Sequence, residues 1–242
     1  TTGTPKGVML SHDNIVSNIK SVLTVIPVDR SNRMMSFLPI SHIFEGTVNY
    51  MYLAIGASIY YSSLSSFQEN LKEVKPNYFT VVPRILEKIV ERVERQAAKL
   101  KGQKRKIYEW AMQLGEQYEL DVHKDWKYEL KLATARRLVF NKWQAALGGQ
   151  IKGLVIGAAP LQPKLGRLFT AAGIPIREGY GLTETSPVLT FNRFTPGGTM
   201  LGTVGIPIPS VEISINEEDG FILNSSRGCR KRLTGWEIIK NR

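Results

Sequence analysis

Cysteine occurs once, at Cys229, in a sequence of 242 residues. One thiol closes no intrachain disulfide and builds no multi-thiolate zinc site, so no oxidising compartment is called for and a cytoplasmic setting is expected. Long apolar runs are missing too. The most apolar region, Met34 to Tyr61, is broken by Pro39, His42, Glu45, Gly46 and Gly56, which excludes a membrane-spanning helix there. Thr1 to Gly7 has neither the basic start nor the apolar stretch of a signal peptide. Internal repeats and low-complexity tracts are absent.

What is present is an ordinary globular composition, 43% hydrophobic and 22% charged, sufficient for a buried core. Lys and Arg number 32 against 21 Asp and Glu, giving +11. The excess is local. Residues 84–142 hold 15 basic and nine acidic side chains, a surplus of six, and residues 227–242 hold six and one, a surplus of five. The remainder balances at 11 against 11. In the first segment Glu alternates with Lys and Arg, as on solvated helix faces, and no glycine-aromatic RNA signature accompanies it, so no nucleic-acid partner is expected. A basic helical surface also suits peripheral contact with a membrane.

Periodicity outlines an α/β chain with a mainly parallel sheet and flanking helices. Ser11 caps a helix whose apolar face is Ile15, Ile19, Val22, Leu23 and Ile26, ended by Pro27. Met34–Leu38, Ala57–Tyr61 and Tyr78–Val82 read as strands, with helices around Phe44–Ile55 and Phe67–Val74 between them. A helical insertion covers about 84–148. Its first helix carries Leu86, Ile89, Val90, Val93 and Ala97 on one stripe and is expected to stop at Gly102. Strand, helix and strand follow at Ile151–Ile156, Leu161–Ala172 and Ile174–Arg177, and beyond Pro187 the texture turns β-rich.

Three segments have the residue types for nucleotide chemistry. Thr1-Thr2-Gly3-Thr4-Pro5-Lys6-Gly7 joins hydroxyl donors, close-approach glycines and a mobile cation, which suits a polyphosphate. It does not match the P-loop pattern, and read alone it is a phosphate loop or a polar turn before a helix. Gly157-Ala158-Ala159-Pro160 follows a strand, where small residues admit a flat ligand or simply make a tight turn. Arg177-Glu178-Gly179-Tyr180-Gly181-Leu182-Thr183-Glu184-Thr185 offers an aromatic face for a base, a hydroxyl for a phosphate and a carboxylate for a hard cation; a turn around a buried Tyr is the other reading.

Thr1–Val8, Leu38-Pro39-Ile40-Ser41-His42-Ile43-Phe44-Glu45, Gly157–Leu161 and Gly179–Thr185 occur in the order and approximate spacing of the adenylate-forming (AMP-binding) enzymes. With its helical insertion the sequence resembles the long-chain fatty acid–CoA ligase branch. The resemblance implies ATP- and Mg²⁺-dependent adenylation of a fatty acid, then thioester formation with coenzyme A. Carried onto these residues, Thr1, Thr2, Gly3, Thr4 and Lys6 hold the β- and γ-phosphates. Gly157, Ala158, Ala159 and Pro160 contact adenine and the acyl entrance. Tyr180, between Gly179 and Gly181, stacks on adenine, Thr183 binds the α-phosphate, Glu184 binds Mg²⁺ and His42 lies near the reacting carboxylate. His42 is otherwise a helix-start histidine.

The sequence also departs from that family. Thr1 stands where further Thr, Ser and Gly residues are usual, and Phe221 stands where Glu is usual. The expected organisation is a partial adenylation domain at 1–223, an off-pattern basic tail at 224–242, and no C-terminal lid domain. The resemblance places the ribose-binding Asp, the hinge and the catalytic Lys of that lid beyond these residues, and implies that the 242 residues alone do not turn over. A non-catalytic nucleotide-binding piece, or a ligase for another carboxylate, are the alternatives.

Overall fold

In a computed structural model, residues 7–120, 125–215, 222–226 and 229–232 are described. Helix α1 (His12–Leu23) starts at a reciprocal cap: Ser11 Oγ accepts the Asn14 N–H at 3.1 Å and Asn14 Oδ1 accepts the Ser11 N–H at 3.0 Å. The chain then runs β1 (Arg33–Ser36), α2 (Ile43–Ala54), β2 (Ser58–Tyr61), α3 (Phe67–Val74) and β3 (Tyr78–Val81). Helices α4 (Pro83–Ala97), α5 (Gly102–Glu116) and α6 (Trp126–Ala135), a π-helical turn at Arg136–Phe140 and α7 (Asn141–Ala146) fill the segment read as an insertion. Strand β4 (Gly153–Ile156), α8 (Pro163–Ala171), β5 (Ile176–Gly181), β6 (Val188–Phe191) and β7 (Ile206–Pro207) follow.

These strands make one sheet in the order β2-β1-β3-β4-β5-β6-β7. The first five are mutually parallel, whereas β5–β6 and β6–β7 pair antiparallel. Every residue of β3 and β4 is buried, as expected for apolar strands covered on both faces. One face packs on α1 and α2 through Ile19, Val22, Met51 and Tyr52. The other packs on α3 to α8, with Phe140, Trp143 and Phe169 stacked edge to face. Gly115 of α5 permits a close helix approach: a Cβ there would lie 3.0 Å from both Leu168 and Phe140.

Two expectations are corrected. Gly102 does not stop α4, which ends at Ala97; with φ +60 it instead begins α5. The strand read as Ile174–Arg177 is Ile176–Gly181 and takes in the whole Gly-Tyr-Gly segment. Position 224 lies inside β9 (Ile222–Ser226), which pairs antiparallel with β8 (Val211–Ile215) and with β10 (Cys229–Arg232).

The amino ends of three parallel strands meet at Asn77. Its Oδ1 accepts the Arg33 N–H at 2.9 Å, its amide donates to the Gln150 carbonyl at 2.9 Å, and its own carbonyl accepts the Lys152 N–H at 2.8 Å. Replacement by alanine removes the partner of two part-buried backbone hydrogen bonds, each worth about 0.5–1.5 kcal/mol. Asn77→Ala is expected to melt several degrees below wild type, at roughly 2–4 °C per kcal/mol for a domain of this size. An unchanged calorimetric midpoint would contradict that role.

Candidate active site

In a parallel sheet all strand carboxyl ends emerge on one edge, and a ligand crevice opens where the chain reverses its winding. Here the reversal lies between β1 and β3: β1 connects through α2 to β2 on one side, while β3, β4 and β5 continue on the other. Past β1 the chain reaches Leu38 to His42, past β4 it reaches Gly157 to Leu161, and β5 runs directly into Tyr180 and Gly181.

His42 is the N-cap of α2, exposed, with no side-chain cap bond, while its N–H donates to the Pro39 carbonyl at 3.0 Å. Two residues on, the Phe44 ring lies against Gly157; a Cβ on Gly157 would come within 3.0–3.3 Å of it. The structure thus brings the second and third motifs together through a ring packed on a bare backbone. Ala158 adopts a left-handed φ of +68, and Ala158, Ala159 and Pro160 are exposed. The turn closes where Leu161 N–H donates to Glu178 Oε1 at 2.9 Å. Burial pushes the Glu178 carboxyl above its ordinary value of 4.5, with the Leu161 N–H pulling the other way.

The Gly-Tyr-Gly segment is extended because β6 pairs against it, with Gly179 opposite Phe191, Tyr180 opposite Thr190 and a register irregularity before Gly181. Glycine is demanded by proximity. A Cβ on Gly181 would sit 1.8 Å from the Pro187 carbonyl oxygen, and one on Gly179 would lie 3.0 Å from the Phe191 ring. Tyr180 is half-buried, and desolvation pushes its hydroxyl upward. The single helical turn Thr183–Thr185 then presents Thr183 and Glu184 to solvent. Thr185 holds that turn: its Oγ1 accepts the Leu182 N–H at 2.8 Å, with the Leu182 and Pro187 carbonyls at 3.0 and 2.5 Å in reach of its own proton.

Thr1, Thr2, Gly3, Thr4 and Lys6 lie outside the described residues. The helix that follows them is fixed near the site. The Asn18 amide donates to the Val188 carbonyl at 2.8 Å and its Oδ1 accepts the Val188 N–H at 3.3 Å, so α1 rests on the strand opposite Tyr180. Among the described residues no group of three or more His, Cys, Asp or Glu gathers to hold a metal. The exposed Glu184 carboxylate beside the Thr183 hydroxyl is a sparse donor set. It fits Mg²⁺, which keeps most of its water and phosphate ligands and takes one or two carboxylates from protein. Asn18 was not singled out from sequence, and Glu178, Thr185 and the buried Glu45 stood within the quoted motifs without a role of their own. A signal existed for Glu45, a lone charge on the apolar stripe of α2 between Phe44 and Val48.

Two solved structures show how far the architecture is shared. An O-succinylbenzoate coenzyme A synthetase from Bacillus subtilis, in complex with ATP and magnesium ion, superposes with a TM-score of 0.61 at 18% identity, covering 93% of this chain and 39% of that one. The N-terminal domain of FACL13 from Mycobacterium tuberculosis gives 0.61 at 18% identity over 92% of this chain and 44% of that one. At such identities the likeness is one of fold, and it defines the α/β fold of adenylate-forming enzymes. Sequence carries this further: the chain belongs to the AMP-binding enzyme family, whose pattern it matches over residues 1–227. Relatives named as long-chain acyl-CoA synthetases or long-chain fatty acid–CoA ligases are similar to it in sequence. Long chain acyl-CoA synthetase 8 of Arabidopsis thaliana is 32% identical over 91% of this chain and 32% of its own length. Long-chain-fatty-acid–CoA ligase 6 of Mus musculus is 33% identical over 89% and 31%. The chain thus spans about a third of the length of these relatives.

Because the folded-state value of Glu178 is raised, its contribution to stability is full below pH 4.5 and is lost as pH rises through that raised value. Glu178→Gln keeps an oxygen for the Leu161 N–H and removes the ionisation. The melting temperature of the variant relative to wild type is expected to climb between about pH 4 and about pH 7. A difference that stays flat with pH would contradict the buried-carboxylate account.

Proposed function

We propose that this chain carries the nucleotide and carboxylate site of an ATP- and Mg²⁺-dependent long-chain fatty acid–CoA ligase. The observation that carries this is the gathering of the His42, Gly157 and Gly179–Glu184 segments on one sheet edge, at the strand reversal. In the first step a fatty carboxylate oxygen attacks the α-phosphorus and pyrophosphate leaves. In the second a thiol sulfur attacks the acyl carbon and AMP leaves. Thr1, Thr2, Gly3, Thr4 and Lys6 hold the β- and γ-phosphates. Gly157, Ala158, Ala159 and Pro160 form a low floor for adenine and the acyl entrance, and Tyr180, set between Gly179 and Gly181, stacks on the base. Thr183 binds the α-phosphate, Glu184 takes the Mg²⁺ and His42 borders the reacting carboxylate. Such a site accelerates by positioning and charge stabilisation. Residues 1–223 act as a partial adenylation domain, with 84–148 as its helical insertion.

Coenzyme A is the proposed thiol. A relative named long-chain-fatty-acid–[acyl-carrier-protein] ligase from Arabidopsis thaliana, 29% identical over 99% of this chain and 37% of its own length, supports a carrier protein as the other acceptor. Non-catalytic nucleotide binding is the remaining alternative.

Titration calorimetry with ATP and Mg²⁺ is expected to give saturable heat. Loss of one stacked base is worth about 1–3 kcal/mol, so Tyr180→Ala should weaken binding roughly 5- to 150-fold. No heat from the wild-type chain would overturn the reading.

A cytoplasmic place at a membrane surface is part of the proposal. Among the described residues no helix is long and apolar enough to cross a bilayer. The outer face of α6 and the π-helical turn, however, exposes Trp126 (69%), Leu130 (61%) and Leu138 (49%) among Lys127, Lys131 and Arg137. An aromatic and two leucines flanked by cations suit an anionic lipid surface. The chain is expected to sediment with vesicles containing phosphatidylglycerol, less so in high salt, and to lose most of that binding in Trp126→Ala/Leu130→Ala. Equal sedimentation of variant and wild type would exclude this face.

A further inference from the structure

A buried carboxylate lies beneath the site. Glu45, in the first turn of α2, is fully buried at 0% exposure. Its Oε1 accepts the Ser36 hydroxyl at 2.5 Å, its Oε2 accepts the Thr80 hydroxyl, and the Phe37 N–H donates to it as well. The Asn49 amide donates to Ser36 Oγ at 2.9 Å and to the Glu45 carbonyl at 2.8 Å. Among the described residues no Lys, Arg or His is ion-paired with it. The direction of the network is set. Asn49 donates into Ser36, so the Ser36 proton is free to point at Glu45, and the Thr80 hydroxyl approaches from the other side. Only a group with two acceptor oxygens receives both.

The position of this clamp gives it meaning. Ser36 is the last residue of β1 and Thr80 the penultimate residue of β3, the two parallel strands between which the winding reverses. Glu45 therefore ties α2 to both walls of the crevice. One residue earlier stands Phe44, whose ring packs on Gly157, and three earlier stands His42. Gly46 leaves the turn no slack, since a Cβ there would be 2.9 Å from the Ile40 carbonyl oxygen.

We propose that Glu45 is a positioning residue for the acyl side of the site: its two carboxylate oxygens fix the height of α2 over β1 and β3, and so set Phe44 and His42 along the Gly157–Pro160 turn. Tyr180, the stacking face for adenine, is held by the pairing of β5 with β6 and makes no contact with this clamp. This role rests on the adenylation reading above.

The test compares two ligands on the 242-residue chain: AMP, and 5′-O-(N-palmitoylsulfamoyl)adenosine, an acyl-adenylate mimic that does not hydrolyse. Glu45→Gln retains size but offers one acceptor oxygen, so one hydroxyl loses its partner. Loss of one such bond predicts about tenfold weaker binding of the mimic, with AMP affinity within about twofold of wild type. Thr80→Val removes the other half of the clamp without changing shape and is expected to show the same selective loss; it carries the test if Glu45→Gln fails to fold. Equal losses for both ligands would mark the network as general packing, and no loss would leave it without a role; either overturns the proposal while adenylation stands. Binding of neither ligand by wild type would overturn adenylation and this role together.

Discussion

Parallel pairing of β1, β3, β4 and β5 is the constraint on which everything else rests. Parallel strands deliver their carboxyl ends to one edge, so segments separated by more than a hundred residues arrive side by side without any direct instruction between them. His42, Gly157 and Tyr180 are neighbours in architecture because Met34, Phe79, Leu154 and Ile176 are apolar enough to bury a sheet on both faces. Removing apolar surface from water at about 25 cal/mol per Å² drives the pairing, and the polar site is carried along at its rim.

The rim is shaped by close approach and by buried polar groups with assigned partners. Gly157 yields room to Phe44, and Gly181 yields room to the Pro187 carbonyl. Glu45, Glu178, Asn77 and Asn18 each join elements far apart in sequence through two or more groups or across a strand edge. An unpaired buried polar group costs several kcal/mol, so each of these contacts admits few alternative arrangements. Rigidity at the strand ends is what a site acting by positioning requires.

Much of this was legible in the sequence. Ser11 marked the start of α1, because a cap acts within a few residues of itself. Four motifs pointed to the AMP-binding enzyme family. The misreadings came from distant effects. Gly102 carries the same local signal whether it ends one helix or begins the next, and Gly179-Tyr180-Gly181 looks like a loop until β6 lies against it. Glu45 and Glu178 were given no role from sequence because their donors, Thr80 and Leu161, are 35 and 17 residues away. The basic surplus of 84–142 likewise resolved into helix faces of mixed sign, with exposed apolar residues concentrated on α6.

The account centres on a nucleotide lying over the carboxyl ends of β4 and β5, with its base on Tyr180. Photolabelling of the chain with 2-azido-ATP and Mg²⁺, followed by tryptic mapping, addresses that directly. The label is predicted to fall on the peptide running from Glu178 to Arg193 and to be competed away by unlabelled ATP. Label concentrated instead on the Lys- and Arg-rich peptides of 84–142, or insensitive to competing ATP, would contradict it.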